Sequence, residues 1–107
     1  MKYPEVLRPV ASTVAKYGLT LNDWEEMLDE QGGVCGVCQK VPKTGRLVVD
    51  HVHRRGYKLL PVEERAEWVR GLCCTVCNHF VLTRYADALR HDQAAAYLRR
   101  FEERRGS

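Results

Sequence analysis

The sequence lacks any apolar run long enough to cross a membrane, and its first ten residues, MKYPEVLRPV, lack the continuous apolar core of a signal peptide. It also lacks low-complexity linkers and internal repeats other than two short cysteine units. Wholesale disorder is excluded because 45% of the 107 residues are hydrophobic and 29% are charged. We therefore expect an intracellular, cytoplasmic protein folded as a single domain over residues 1–107, since neither half alone would bury a core.

Positive charge is modest overall but concentrated in one stretch. The net charge is +3 and the pI is near 8.7, below the value of about 9 that is typical of a nucleic-acid-binding domain. Residues 39–58 nevertheless contain one acid, Asp50, and six basic residues: Lys40, Lys43, Arg46, Arg54, Arg55 and Lys58. Such a cluster is either a solvated loop or a surface for a polyanion, and its position around a candidate site favours the polyanion.

Periodicity and capping residues predict helices at both ends of the chain. The best-marked helix covers residues 20–31, where Thr20 is a candidate N-cap, Asp23 follows three places later and Gly32-Gly33 ends the apolar stripe. The other predicted elements are a strand at 46–50, a turn at 54–56, a short helix at 61–69 and C-terminal helices at about 78–104 with a break near His91-Asp92.

Two C-x-x-C units are the strongest motif in the sequence. They are Cys35-Gly36-Val37-Cys38 and Cys74-Thr75-Val76-Cys77. Two residues between cysteines let both sulfurs reach one ion, and two such units give the tetrahedral four-sulfur set of structural Zn²⁺ sites. The alternative is a pair of redox or disulfide cysteines. Cys73 would need a longer spacing to bind the same ion, so we interpret it as a small buried apolar residue.

Residues 48–53, VVDHVH, place two of the four histidines beside an aspartate at the end of an apolar run. Asp50 and the later Asn78 offer hard oxygen ligands for Mg²⁺, and a neutral His51 can take a proton from water. Strand alternation puts Asp50 and His51 on opposite faces, so a bend directly after Asp50 would be needed for them to converge. The six residues alone fit a one-metal nuclease site, a second zinc site or a surface ion pair.

The runs GGVCGVC, LVVDHVH and VRGLCCTVCN together resemble the phage recombination endonuclease VII family, within the ββα-metal (His-Me finger, HNH-like) nucleases. The resemblance covers roughly residues 17–101 and is weakest at the N-terminal tail and in residues 54–68. It implies a small α+β fold in which a ββα-metal core with a four-cysteine zinc site is flanked by N- and C-terminal helices.

The resemblance also assigns roles residue by residue. It implies that His51 is the general base, that Asp50 and Asn78 bind a catalytic Mg²⁺ for which Mn²⁺ can substitute, and that His53 contacts the scissile phosphate. It implies a structural Zn²⁺ held by Cys35, Cys38, Cys74 and Cys77. The candidate DNA contacts are Arg54, Arg55, Lys58 and Arg70, with a structural salt bridge as an equal alternative for Arg70.

The function implied by the resemblance is a Mg²⁺-dependent DNA endonuclease that cleaves branched DNA, such as four-way junctions. Because resolving a junction needs two cuts, a homodimer is expected. If a phage encodes the protein, it would act in the host cytoplasm. Two alternatives stay open: a monomeric HNH-type nicking endonuclease acting on duplex DNA, and a zinc-containing DNA-binding module without catalysis.

Overall fold

A computed structural model describes residues 2–83 and 86–106, which form four α-helices and one two-stranded antiparallel sheet. The elements are α1 (Ala11–Ala15), α2 (Leu21–Glu30), β1 (Val48–His51), α3 (Val62–Arg65), β2 (Val69–Cys73) and α4 (Ala88–Arg104). Single turns of 3₁₀-helix cover Tyr57–Leu59 and Ala66–Trp68, and a π-helical turn covers Cys77–Val81. The small α+β class expected from the sequence is confirmed.

Helix α2 begins and ends where its sequence predicts. The Thr20 hydroxyl accepts a hydrogen bond from the Asp23 amide at 3.0 Å, and the Asp23 carboxylate accepts one from the Thr20 amide at 2.8 Å. This reciprocal pair satisfies two amides that the helix itself leaves without partners. At the other end, Gly32 directly follows the C-cap Gln31 and has a φ of 70°, a left-handed conformation that stops the helix and that glycine adopts readily.

The core joins the N-terminal segment, α2, the two strands and the two cysteine units. Trp24 and Leu28 of α2 pack against buried residues of the N-terminal segment, both strands and the cysteine units: Val6, Val14, Leu47, Val49, Leu72, Cys35, Cys73 and Cys77. The N-terminal segment is therefore part of the fold, although it carries the weakest resemblance. Its position is fixed by a hydrogen bond from the Leu7 amide to the Gly45 carbonyl at 2.7 Å.

The two strands pair with a β-bulge at Arg70. Asp50 lies opposite Gly71 and His51 lies opposite Val69, so Arg70 has no partner on β1. A bulge of this kind bends the sheet and re-aims a side chain. The irregularity falls between Asp50 and His51, which is the place where the sequence required a bend.

Strand β2 corrects the prediction of a helix at 61–69. Pro61 and the acidic residues after it support only one helical turn, α3, followed by a 3₁₀ turn. Val69 is already the first residue of β2. Local propensity does not reveal this strand, because VRGLC becomes extended through its pairing with β1.

The prediction of helix from about 78 to 104 is also only partly right. Asn78 lies in a π-helical turn that ends at Val81, and α4 starts at Ala88 after the N-cap Asp87, whose carboxylate accepts from the Arg90 amide at 2.8 Å. The break therefore precedes α4, and His91-Asp92 lie inside that helix. Residues 84 and 85, which the predicted helix also covered, lie outside the described residues.

Gln31 joins the end of α2 to β2. Its side-chain amide donates to the carbonyls of Val34 and Leu72, each at 2.9 Å, and its carbonyl accepts from the Leu72 amide at 2.9 Å. A Cβ on Gly71 would lie 2.8 Å from the Gln31 Oε1 atom, so glycine is needed for this close approach. One side chain thus satisfies both backbone groups of a buried strand residue.

Replacing Gln31 with Glu keeps the size of the side chain but removes its two donated hydrogen bonds. We expect the free energy of unfolding to fall by about 2 kcal/mol, because the Val34 carbonyl loses its donor and both carbonyls then face a carboxylate. The Leu72 carbonyl keeps the hydrogen bond from the Gly36 amide at 3.0 Å. Urea denaturation of the zinc-loaded protein measures this change. The exposed neighbour Glu30 provides the control: Glu30→Gln should change stability by less than about 0.5 kcal/mol. Equal effects at the two positions would contradict the role of Gln31.

Candidate functional site

The four cysteines of the two C-x-x-C units come together. Their sulfur atoms all lie within 4.8 Å of one another. Four thiolates around Zn²⁺ at about 2.3 Å place neighbouring sulfurs about 3.8 Å apart, so the cluster needs little change to hold the ion. Backbone amides already point at two of the sulfurs, from Val37 to Cys35 and from Cys77 to Cys74, each at 3.4 Å. These four residues could hold zinc, as their spacing predicts.

Two thiols of this cluster, those of Cys35 and Cys77, have pKa values shifted in opposite directions. Burial alone would raise the pKa of Cys35, but hydrogen bonds from three neighbouring backbone groups outweigh it and lower the pKa to about 6. Burial and hydrogen bonds with the neighbouring thiols raise the pKa of Cys77 to about 12. Because zinc binds thiolates, coordination by all four residues would release protons.

Cys73 is chemically different from its neighbour Cys74. It is buried in the core, and burial together with the charge of Asp50 raises its pKa to about 12. A neutral thiol in this position packs as a small apolar side chain, which confirms the interpretation from sequence.

Adjacent cysteines therefore give a matched test of the zinc site. We expect Cys74→Ala to lose bound zinc and most of its folded structure, since structural zinc contributes on the order of 10 kcal/mol in small zinc-binding peptides. Cys73→Ala should keep one zinc per chain. Elemental analysis and far-UV circular dichroism of the purified variants measure both properties. Retention of zinc by Cys74→Ala, or its loss from Cys73→Ala, would contradict the assignment.

His51 lies at the end of β1 among three aromatic rings. Its imidazole stacks on Tyr57 with ring centroids 4.2 Å apart, and the rings of His53 and Tyr17 lie at 5.0 and 5.6 Å. Burial lowers the pKa of His51, and electrostatic interactions with His53 and Arg70 lower it further against the opposing effect of Asp50. The imidazole is therefore neutral at pH 7 and can accept a proton.

The side chains around His51 form a cationic depression. It is lined by His51, His53, Arg54, Arg55, Gly56, Tyr57, Lys58 and Leu59. Arg54 is held against the Trp68 ring, with its guanidinium carbon 4.7 Å from the ring centroid. The structure thus groups both predicted histidines with three of the four predicted DNA contacts.

Arg65, which sequence reasoning did not single out, holds the loop that carries these cations. Its guanidinium donates to the carbonyls of Leu60 at 3.2 Å, Lys58 at 3.0 Å and Lys16 at 2.9 Å. In the sequence Arg65 is one of many charged residues on a short helix, and nothing marks it. Tyr17 and Tyr57 were missed for the same reason, because their role depends on contacts that are distant in sequence.

Asp50 is paired with Arg70. Its side chain is 2% exposed, and its two oxygens accept from Arg70 Nε at 2.7 Å and from Nη2 at 3.0 Å. Arg70 also donates to the His51 carbonyl at 3.3 Å. Of the two alternatives for Arg70, the described structure therefore contains the salt bridge.

Asn78 lines a second depression, next to the one that contains His51. Its backbone amide donates to the Cys74 carbonyl at 3.0 Å. Asn78 is the second residue of the π-helical turn Cys77–Val81. The depression is lined by Tyr17, Val48, Val49, Thr75, Val76, Asn78, His79 and Phe80. Tyr17 connects the two depressions, because its ring also contacts His51.

A carboxylate and a side-chain amide are suitable ligands for Mg²⁺, so the chemistry of Asp50 and Asn78 fits that ion. The present partner of Asp50, however, is a guanidinium that uses both carboxylate oxygens. Holding a cation there requires Arg70 to move.

Comparison with known proteins identifies the family. Residues 10–100 match the family described as recombination endonuclease VII. The chain belongs to this family. Membership confirms the resemblance seen in the sequence.

Two similar proteins come from mycobacteriophages, and both are described as Gene 59 protein. The chain is 37% identical to that of Mycobacterium phage D29 over 89 residues, which cover 81% of this chain and 47% of the phage protein. It is 39% identical to that of Mycobacterium phage L5 over 70 residues, which cover 64% of this chain and 36% of the relative. The aligned part is thus less than half the length of either relative.

No solved structure matches the chain significantly. Within residues 2–83 and 86–106, no helix is both long and apolar enough to cross a membrane.

Proposed function

We propose that the chain is a metal-dependent endonuclease that hydrolyses phosphodiester bonds in DNA, with His51 as the general base. The observation that carries the proposal is a neutral imidazole in a depression that also contains Arg54, Arg55 and Lys58. A neutral imidazole can activate water, while cations beside it hold the phosphate that the water attacks.

Each residue then has a defined task. His51 takes a proton from the attacking water, and stacking on Tyr57 holds its ring in place. His53 contacts the scissile phosphate, and Arg54, Arg55 and Lys58 bind flanking phosphates. A divalent cation held by Asp50 and Asn78 would neutralise the charge that develops on the leaving 3′ oxygen.

We further propose that β1, β2 and the turn carrying Asn78 form the ββα-metal core of a single zinc-stapled domain. Support comes from the antiparallel pairing of β1 with β2 and from the π-helical turn that follows β2. The proposed catalytic residues lie on β1, directly after it and on this turn. The cysteine cluster would fix the turn relative to the strand.

The proposed substrate is branched DNA, cut by a homodimer in the cytoplasm of the host cell. Helix α4 supports the dimer, because it is 17 residues long and, in the described part of the chain, buries none of its side chains. Tyr97, Leu98 and Phe101 form a stripe on one face of the helix, and they are 67%, 57% and 52% exposed. Two copies related by a twofold axis would cover these stripes and supply two active sites.

Removing the imidazole of His51 tests the catalytic assignment. We expect His51→Ala to reduce the cleavage rate by about 10²- to 10⁴-fold, the usual contribution of a general base, with zinc content and DNA affinity nearly unchanged. His91→Ala removes a histidine of α4 that lines neither depression and serves as the control, with cleavage retained. Cleavage is measured on a labelled four-way junction, a flap and a linear duplex with added Mg²⁺.

The substrate series separates the three functions under consideration. Cuts placed symmetrically in the junction support the branched-DNA proposal. Nicking of the plain duplex at an equal rate would favour a nicking enzyme. Binding without any cleavage by the wild type, with Mg²⁺ or Mn²⁺, would favour a DNA-binding module.

A charge on the apolar stripe of α4 tests the dimer. We expect Leu98→Glu to shift the species seen by analytical ultracentrifugation from about twice the chain mass to a 12.3 kDa monomer, because a carboxylate would be buried without a partner. Ala96→Glu makes the same change on the opposite face and should remain dimeric. A wild type that sediments as a monomer would contradict the proposed homodimer.

A further inference from the structure

The ion pair between Arg70 and Asp50 occupies the carboxylate that the proposed chemistry needs. Both oxygens of Asp50 accept hydrogen bonds from one guanidinium, and the carboxylate has almost no contact with solvent. The register of the two strands explains how Arg70 reaches the carboxylate of Asp50. Arg70 is the bulged residue of β2, and its neighbour Gly71 lies across from Asp50.

Arg70 and a divalent cation exclude each other at this carboxylate. Mg²⁺ needs a ligand oxygen at about 2.0–2.1 Å and an approach path for the ion and its water. The guanidinium blocks that path at 2.7 Å from Asp50 Oδ2, and its positive charge repels a second cation. The carboxylate therefore has one cationic partner at a time.

Arg70 itself can reach another anion. Its side chain is 32% exposed, in contrast to the 2% of Asp50. It donates to the backbone carbonyl of His51, so it lies beside the cationic depression. A guanidinium binds a phosphate with the same two-pronged geometry that it uses for a carboxylate.

We propose that a DNA phosphate takes Arg70 away from Asp50 and thereby opens Asp50 to the divalent cation. The proposal rests on the proposed function, because it assumes that Asp50 is a metal ligand. Arg70 is then a positioning residue that couples the two binding events: metal tightens DNA binding, and DNA tightens metal binding by the same factor. Without DNA, the ion pair keeps the metal site closed.

Metal binding to the DNA-free, zinc-loaded protein tests the closed state. The probe is Mn²⁺, titrated by isothermal calorimetry and by electron paramagnetic resonance of the unbound ion. We expect Arg70→Gln to bind Mn²⁺ about tenfold or more tightly than the wild type, because the competing cation is gone. Arg46→Gln removes an exposed arginine away from Asp50 and should leave Mn²⁺ affinity unchanged.

Arg70→Gln leaves a buried carboxylate without its partner, so circular dichroism and zinc content must first show that the variant folds. If it does not, Arg70→Lys replaces it. Lysine keeps a positive charge but cannot bond both oxygens, and it should give a smaller gain in the same direction. The double variant Asp50→Asn/Arg70→Gln should lose the gain.

The outcomes separate this inference from the proposed function. If the wild type binds Mn²⁺ as tightly as Arg70→Gln, and Asp50→Asn abolishes both, Asp50 is a metal ligand but Arg70 does not close the site. If no variant shows binding that depends on Asp50, the proposed metal site fails and the inference fails with it.

Coupling to DNA is measured in the non-cleaving His51→Ala background, by fluorescence anisotropy of a labelled four-way junction. Mn²⁺ should tighten DNA binding when Arg70 is present, and this factor should be smaller in His51→Ala/Arg70→Gln, where only the direct contact of the ion with DNA remains. The same comparison with Asp50→Asn in place of Arg70→Gln corrects for effects of Mn²⁺ on the DNA itself. An equal factor in all three proteins would overturn the coupling.

Discussion

The cysteine cluster is the constraint on which the rest of the structure depends. Cys35 and Cys38 follow α2, whereas Cys74 and Cys77 follow β2, so the cluster joins two segments that are distant in sequence. The buried core is small and contains two of these cysteines itself. Zinc coordination on the order of 10 kcal/mol would be a large share of the stability of such a chain. The position of β2, and of the turn that carries Asn78, follows from this link.

The ion pair that β2 brings to β1 has no obvious explanation in stability alone. Removing a carboxylate and a guanidinium from water costs about as much as their attraction returns, so a well-packed apolar pair would serve the fold equally well. The bulge at Arg70 interrupts the strand pairing as well. The pair lies directly beside a neutral histidine. It is better explained by the binding of Arg70 to a phosphate and of Asp50 to a divalent cation.

How much could be predicted from sequence depends on the distance over which each signal acts. The Thr20–Asp23 cap and the two C-x-x-C units are local patterns, and both are found as predicted. Strand β2 is not predictable in the same way, because its extended form comes from pairing with β1 and from the Gln31 side chain. The same distinction applies to the site. Its two histidines and three cations belong to one segment, residues 51–58, and lie together as expected. The partner of Asp50 comes from another strand.

The electrostatics of His51 connect the ion pair to the chemistry of the base. Asp50 alone would raise the pKa of its neighbour and favour an imidazolium that cannot accept a proton, but Arg70 opposes this effect. The ion pair therefore helps to keep His51 neutral while no substrate is bound. If Arg70 moves to a phosphate, a divalent cation at Asp50 would oppose the carboxylate charge at least as strongly. Burial remains the largest cause of the lowered His51 pKa throughout, and exchange of one positive partner for another would keep the charge of Asp50 opposed as well.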